Sequence, residues 1–239
     1  MPGSSIRPIT RTVIETVVPG NQVIAHGSSV QLRVVLARSV PSSAWVRFRD
    51  VGGAWERALM EHESGQPVFT FDWNDVKQPL EYEIQAGDAV SETNRISVRP
   101  RTVIRDRTAE ITAPEYLGSK TEVFENVGIL QDVLSGSTVR LALKFNNPVT
   151  ELKATTESNE DLQVVAKSFS GEGQAREGQQ GSEAGLQWIV NLPTDSAHTI
   201  RIAYRDEIDA QGFASIPLTV VADEPPLISI FDPLDGREV

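Results

Sequence analysis

Gly27-Ser28-Ser29-Val30-Gln31-Leu32-Arg33-Val34 returns 109 residues later as Gly136-Ser137-Thr138-Val139-Arg140-Leu141-Ala142-Leu143. In each copy large apolar side chains alternate with polar or small ones. A period of two sends one set of side chains to a core and the other to water, which is the pattern of a half-buried β-strand. The copies stay in step beyond this strand. Pro41 and Pro148 follow, and Trp45-Val46 and Leu152-Lys153 begin the next apolar segments. Tyr82-Glu83-Ile84-Gln85-Ala86-Gly87-Asp88-Ala89-Val90 is answered by Ile200-Arg201-Ile202-Ala203-Tyr204-Arg205-Asp206-Glu207-Ile208. Each leads to a last strand, Arg95–Arg99 and Ile216–Val221. A repeat of one domain's length means tandem duplication, not a solenoid.

Between these anchors the alternation continues. Val46 and Phe48 alternate with Arg47 and Arg49, and Phe69, Phe71 and Trp73 with Thr70 and Asp72. No window carries a sustained 3.6-residue stripe with caps. Short strands bounded by Gly, Pro, Asn and Asp predict an all-β chain of two antiparallel sandwiches. The boundaries expected are 1–105 for the first sandwich, with an extended N-terminal segment, and 106–224 for the second. Residues 225–239 are expected to begin a further module or tail, so the chain reads as a piece of a longer one. Residues 170–185 contain five glycines and no aromatic or branched apolar residue, which predicts a mobile hairpin loop. Trp45, Trp73 and Trp188 lie on expected strands and are assigned to the cores, since a buried indole removes about 200 Å² from water. Tyr82, just before a turn on the penultimate strand, is expected to bury its ring and hydrogen-bond its hydroxyl to the backbone.

These segments carry a resemblance. Gly27–Leu32, Trp45-Val46-Arg47-Phe48, Trp55–Met60 and Tyr82–Ser91 together are similar to bacterial immunoglobulin-like domains. Ala86-Gly87-Asp88-Ala89-Val90-Ser91, the Pro100-Arg101 pair and Pro114-Glu115-Tyr116-Leu117-Gly118 resemble repeat modules of large membrane-anchored extracytoplasmic proteins of the planctomycete type. The resemblance covers most of both units. It implies an immunoglobulin-like or fibronectin-III-like sandwich, an envelope setting and a longer parent chain, and it brings no catalytic residues. The second unit departs from it, with Arg205-Asp206 where Ala-Gly-Asp would stand.

Composition excludes several classes. The chain has 22 Lys and Arg against 33 Asp and Glu, a net charge of −11. The excess is uneven: residues 1–108 hold 13 basic and 12 acidic residues, and 109–239 hold 9 and 21. Such a chain is a poor general partner for nucleic acid or anionic lipid. There is no cysteine, hence no disulfide framework and no thiol nucleophile. No run of about 18 apolar residues is present, and Met1–Arg7 lacks the apolar core of a signal peptide.

Catalytic and metal motifs are not found. His26, His62 and His198 form no ligand pair at helical spacing, and Glu61 and Glu63 should point away from the face His62 occupies. No nucleophile elbow, phosphate loop or dinucleotide fingerprint occurs. Asp206-Glu207-Ile208-Asp209 and Asp223-Glu224 are the acidic clusters to weigh for calcium, and solvated turns are the simpler reading. The expectation is therefore no catalytic, cofactor-binding or metal residue. The function expected is a noncatalytic spacer or protein-interaction module of an extracytoplasmic envelope protein, with partners among other domains of the parent chain or envelope proteins. The alternative is a carbohydrate-binding accessory module. Its best aromatic shelf is Trp55, after the Gly52-Gly53 turn, and clustered exposed aromatics would favour it.

Overall fold

The structure, a computed structural model, describes residues 11–62, 66–170 and 184–223. Two compact units emerge: Met1–Thr102 with the Asp206–Ala210 turn, and Val103–Arg205 with the chain from Gln211 onward. In the first, one sheet runs in the order β1 (Thr12–Val18), β3 (Ser28–Arg38), β7 (Val68–Val76), β6 (Glu61–His62), all antiparallel. The other runs β2 (Gln22–Ala25), β10 (Asn94–Arg99), β8 (Leu80–Ala86), β4 (Ala44–Asp50), β5 (Glu56–Leu59), with the short β9 (Ala89–Val90) also pairing with β8. The β2–β10 pair is parallel. The opening chain thus contributes β1 to one sheet and β2 to the other, on either side of a cis Val18–Pro19 bond. With β1 and β2 counted as one split first strand and the short β5 and β9 set aside, the first, second, fifth and fourth strands lie on one sheet and the third, sixth and seventh on the other, which is the immunoglobulin arrangement.

The second unit repeats this order. One sheet is β12 (Thr121–Glu125), β11 (Ile104–Thr112), β14 (Thr138–Phe145), β17 (Ala184–Leu192), β16 (Val164–Ser170). The other is β13 (Leu130–Leu134), β19 (Gln211–Val221), β18 (His198–Asp206), β15 (Val149–Thr155), with β13 parallel to β19. β12 has no counterpart in the first unit; it extends the sheet beside β11, and all five of its residues are exposed. The β16–β17 pairing runs to Ser170 opposite Ala184. The expectation for the intervening glycine-rich stretch, and that for 225–239, fall outside the described residues.

The duplicated stretch lies where the repeat requires. Val30 and Leu32 are buried on β3, between β1 and β7, and Val139 and Leu141 are buried on β14, between β11 and β17. β8 buries Leu80, Tyr82, Ile84 and Ala86, and β18 buries Ile200, Ile202, Tyr204 and Asp206, in the same alternating frame. Each unit closes its own core. Leu32, Val34, Phe69, Tyr82, Ile84 and Ile96 form the fully buried centre of the first, and Leu141, Leu143, Ile200, Ile202, Ile216 and Leu218 that of the second. Each buried large apolar side chain contributes about 1.5–3 kcal/mol to its own sandwich.

The aromatic residues divide in a way the strand assignment alone did not separate. Tyr82 is fully buried, and its hydroxyl donates to the Gly20 carbonyl at 3.0 Å, in the turn between β1 and β2. Burial pushes this phenol up to about 12. Trp73 is half-buried against the core, edge-on to Phe48, Phe71 and Tyr82 at 5.4–5.7 Å between ring centres. Trp188 packs half-buried against the second core. These two occupy corresponding strands but opposite ends of them: Trp73 pairs with Val30, whereas Trp188 pairs with Leu143, the counterpart of Val34. Trp45 is not a core residue, contrary to expectation. Its neighbours Ala44 and Val46 are fully buried, so alternation turns Trp45 to the outer face, where the Arg57 guanidinium lies 4.9 Å from its ring centre.

The hairpin that carries Ala86–Ser91 explains its own residue types. Gly87 has φ +58°, and a Cβ there would stand 2.9 Å from the Thr12 hydroxyl oxygen. The Asp88 carboxylate accepts the Arg11 N–H at 2.7 Å and the Thr12 N–H at 3.0 Å, fastening the start of β1. Those two backbone donors hold the Asp88 carboxyl below its ordinary range. Ser91 Oγ accepts the Ile84 N–H at 2.9 Å and donates to the Glu92 carbonyl at 2.8 Å. This motif is a structural clip.

Candidate functional site

Two outward sheet faces hold the chemistry worth weighing, one in each unit. On the first, Trp45, Arg47 and Arg49 of β4 share a face with Glu81 and Glu83 of β8, because residues two apart on a strand point the same way. β4 and β8 pair so that Arg47 lies opposite Glu83 and Arg49 opposite Glu81. Arg49 Nη2 reaches Glu81 at 2.7 Å and Arg47 Nη1 reaches Glu83 at 3.3 Å. Both guanidiniums also stand over the Trp55 ring, at 4.5 and 5.1 Å from its centre. Each such cation–ring contact contributes about 0.5–1 kcal/mol at an exposed site. Trp55, the shelf expected under the carbohydrate reading, therefore already has stacking partners from its own chain.

The matching face of the second unit is different. Ala203 of β18 pairs with Phe213 of β19, and Arg201 and Arg205 flank Ala203 two residues away on the same face. Phe213 is 76% exposed. Its neighbour Gly212 points inward, pairs with Tyr204 and lies under the Tyr204 ring; a Cβ at Gly212 would fall 2.2 Å from Tyr204 Cζ. Tyr204 in turn packs edge-on against Phe145, 4.7 Å between centres. The buried Gly212–Tyr204 contact thus sets the strand parity that turns Phe213 to water. Phe213 separates two shallow depressions. One, of about 560 Å³, lies toward Thr155, Arg201 and Ser215, and the other, of about 200 Å³, toward Glu151, Arg205 and Gln211; Lys153 borders both. Arg205 Nε approaches Glu151 at 3.6 Å and Lys153 pairs with Asp161 at 3.0 Å, both exposed and therefore weak. Arg201 makes no ion pair among the described residues. Phe213 was missed in the sequence, although a signal was present: Ile216 and Leu218 set the inward parity of β19, and position 213 falls on the other parity.

The three histidines are dispersed. His26 sits in the turn after β2, its N–H bound to the Arg99 carbonyl at 2.8 Å. His62 stacks on Phe69 with ring centres 4.2 Å apart, and its Nε2 meets the Gln66 carbonyl at 2.9 Å. His198 Nδ1 lies 2.8 Å from the Ser196 carbonyl. Glu63, weighed with His62, lies outside the described residues. In the Asp206 cluster, Oδ1 accepts the N–H groups of Ile208 and Ala210, each at 3.0 Å. Oδ2 takes the Thr102 hydroxyl and lies 2.8 Å from Arg99 Nη2. Burial opposes the Asp206 charge, yet hydrogen bonds from Thr102, Ile208 and Ala210 outweigh it and keep the carboxyl below its usual range. Both oxygens are thus engaged with the chain itself. Asp223 bonds the Tyr116 hydroxyl and pushes that phenol up; Glu224 lies outside the described residues. Among the described residues no group of three or more His, Asp or Glu converges as a metal site would need.

No family profile matches this chain, and no curated protein matches it. Among solved structures it is similar to the crystal structure of DIP-gamma IG1+IG2, at 9% identity and TM-score 0.34, over 88% of this chain and 98% of that one. It is similar also to two structures of a marsupial T cell receptor, at 13% and 11% identity and TM-scores of 0.33 and 0.34, over 86% and 89% of this chain and 100% and 98% of theirs. Matches this distant add nothing to the assignment. The immunoglobulin-like architecture rests on the strand order, which both units share.

Proposed function

We propose that this chain is a noncatalytic spacer and protein-interaction segment in the extracytoplasmic part of a larger bacterial envelope protein. The observation that carries this reading is the repetition of a complete sandwich, each copy with its own closed core and the same strand order. Repetition of self-contained units lengthens a chain and multiplies its surfaces without building a reaction centre. The resemblance of the Ala86–Ser91 and Pro114–Gly118 segments to extracytoplasmic repeat modules supports the setting. Among the described residues no helix is long and apolar enough to cross a membrane. Partners are other domains of the parent chain or envelope proteins, met through sheet faces, edges or loops. The test is protease treatment of intact cells of the source organism, followed with antibodies to this chain. Digestion while a cytosolic marker stays intact is the expected result. Protection until the cells are lysed, even after the outer layers of the envelope have been opened, would overturn the extracytoplasmic reading.

A further inference from the structure

We infer that the Phe213 face of the second unit docks an extended acidic segment of a partner protein, one in which an apolar side chain has an acidic residue two positions before it and another two positions after. The inference rests on the reading of the chain as an interaction module.

Three observations lead to it. The first is charge. Residues 109–239 hold 21 acidic and 9 basic residues, yet this face gathers Lys153, Arg201 and Arg205 around Phe213, against Glu151 at its border and Asp161 paired with Lys153. A locally basic surface in a strongly acidic half is complementary to carboxylates. Arg201 offers its guanidinium without an ion pair among the described residues, and the Lys153–Asp161 and Arg205–Glu151 pairs are exposed and exchangeable.

The second is spacing. Arg201, Ala203 and Arg205 lie at alternate positions of one strand, so the two arginine Cα atoms are about 13 Å apart at the strand rise per residue. A peptide extended along β18 has the same rise. Carboxylates four residues apart then fall over the two arginines while the central residue falls over Ala203. A small side chain at 203 leaves the room, and Phe213, paired with it, supplies the apolar wall.

The third is relief. The depressions on either side of Phe213 place one arginine beside each, so the surface offers two anion positions separated by one apolar ridge. A flat apolar face would select for hydrophobicity alone, and a single basic pocket for one anion.

The experiment uses the full chain and a fluorescein-labelled peptide carrying Asp-Thr-Phe-Thr-Asp between Gly-Ser flanks. A second peptide of identical composition has its two acids adjacent. Anisotropy and NMR titrations at low salt should show saturable binding of the first, with shifts confined to β15, β18 and β19. The second should bind at least tenfold more weakly. Phe213→Ser and Arg201→Glu should each weaken the first peptide at least tenfold, with unfolding midpoints of the chain unchanged. Raising ionic strength should weaken binding in the wild type more than in Arg201→Glu. Equal binding of the two peptides, indifference to Phe213→Ser, or absence of binding to the wild type would each overturn the inference. So would binding at this face of a sulfated polysaccharide such as heparin with no binding of the peptide. Failure here, with cell-surface digestion as expected, would remove the docking surface and leave the module reading standing.

Discussion

β8 of the first unit and β18 of the second hold the same place in the sandwich, and their buried positions coincide. One of their outward positions carries opposite charges in the two. Tyr82 and Ile84 correspond to Ile200 and Ile202, so Glu83 of the first unit corresponds to Arg201 of the second, and Gln85 to Ala203. In the first unit the glutamates face arginines on β4, and those arginines lie over Trp55. In the second, arginines stand on β18 itself and the aromatic ring beside them is bare. One frame thus yields a face sealed by its own charges and a face left to bind something else. Core alternation constrains only every other residue; the remaining half of each strand is free to take on a role.

The largest effects should come from the side of the strands that the two units share. Trp188→Ala should destabilise the second unit by about 3 kcal/mol, the low end for a tryptophan because the ring is half-buried. The first unit should unfold unchanged. Trp45→Ala, which removes an equally large ring from a sealed outer face, should cost about 1 kcal/mol or less. Denaturant unfolding followed by probes in each unit measures both. Equal losses at the two positions would break the distinction between core and face.

Next in size is Gly212→Ala. The added methyl meets Tyr204 directly, and moving a buried ring costs about 1–3 kcal/mol. Thermal unfolding gives the loss, and a changed near-ultraviolet dichroism of Tyr204 would tie it to the ring. A neutral result would mean that Phe213 owes its outward position to something other than this contact.

The sealed face should respond more weakly. Arg49→Ala removes one cation over Trp55 and the pair with Glu81, at a cost of about 1 kcal/mol, and should raise acrylamide quenching of tryptophan emission. Unchanged quenching would show that Arg47 alone covers the ring. Smallest of all, Phe213→Ser should leave stability within about 0.5 kcal/mol of wild type, because the ring it removes is largely in water already. A larger loss would mean that the bare face has a part in folding.

The strands and most of the core were legible in the sequence because they rest on alternation and on the duplication. Val30 and Val139, or Ile84 and Ile202, could be paired before any coordinates. The same rule placed Trp45 outward, since it shares parity with Arg47 and Arg49, but the size of an indole argued for the core and prevailed wrongly. The extra strand β12 has no partner in the first repeat to reveal it. The candidate site left only a faint signal, the parity set by Ile216 and Leu218. Phe213 stands between Gly212 and Ala214, two small inward residues that mute the alternation, and its neighbours Ala203 and Arg201 come from a strand read only for its buried half. Asp88 was read as part of a resemblance, and its role came from long-range hydrogen bonds to Arg11 and Thr12 that no local spacing discloses.

The parallel pairs β2–β10 and β13–β19 join the entering and leaving strands of each sandwich. Tension applied through the two ends of a unit pulls such neighbours in opposite directions along their common axis. Once β1 has yielded, the pull reaches β2, where the ladder from Ile96 opposite Gln22 to Arg99 opposite Ala25 is sheared as a block instead of being unzipped one bond at a time. Sheared bonds must fail together, so the extension at which each unit gives way is short and the force high, and rupture is governed by the rate of crossing that barrier. A chain built this way would hold its length under drag and lengthen in discrete steps, one sandwich per step.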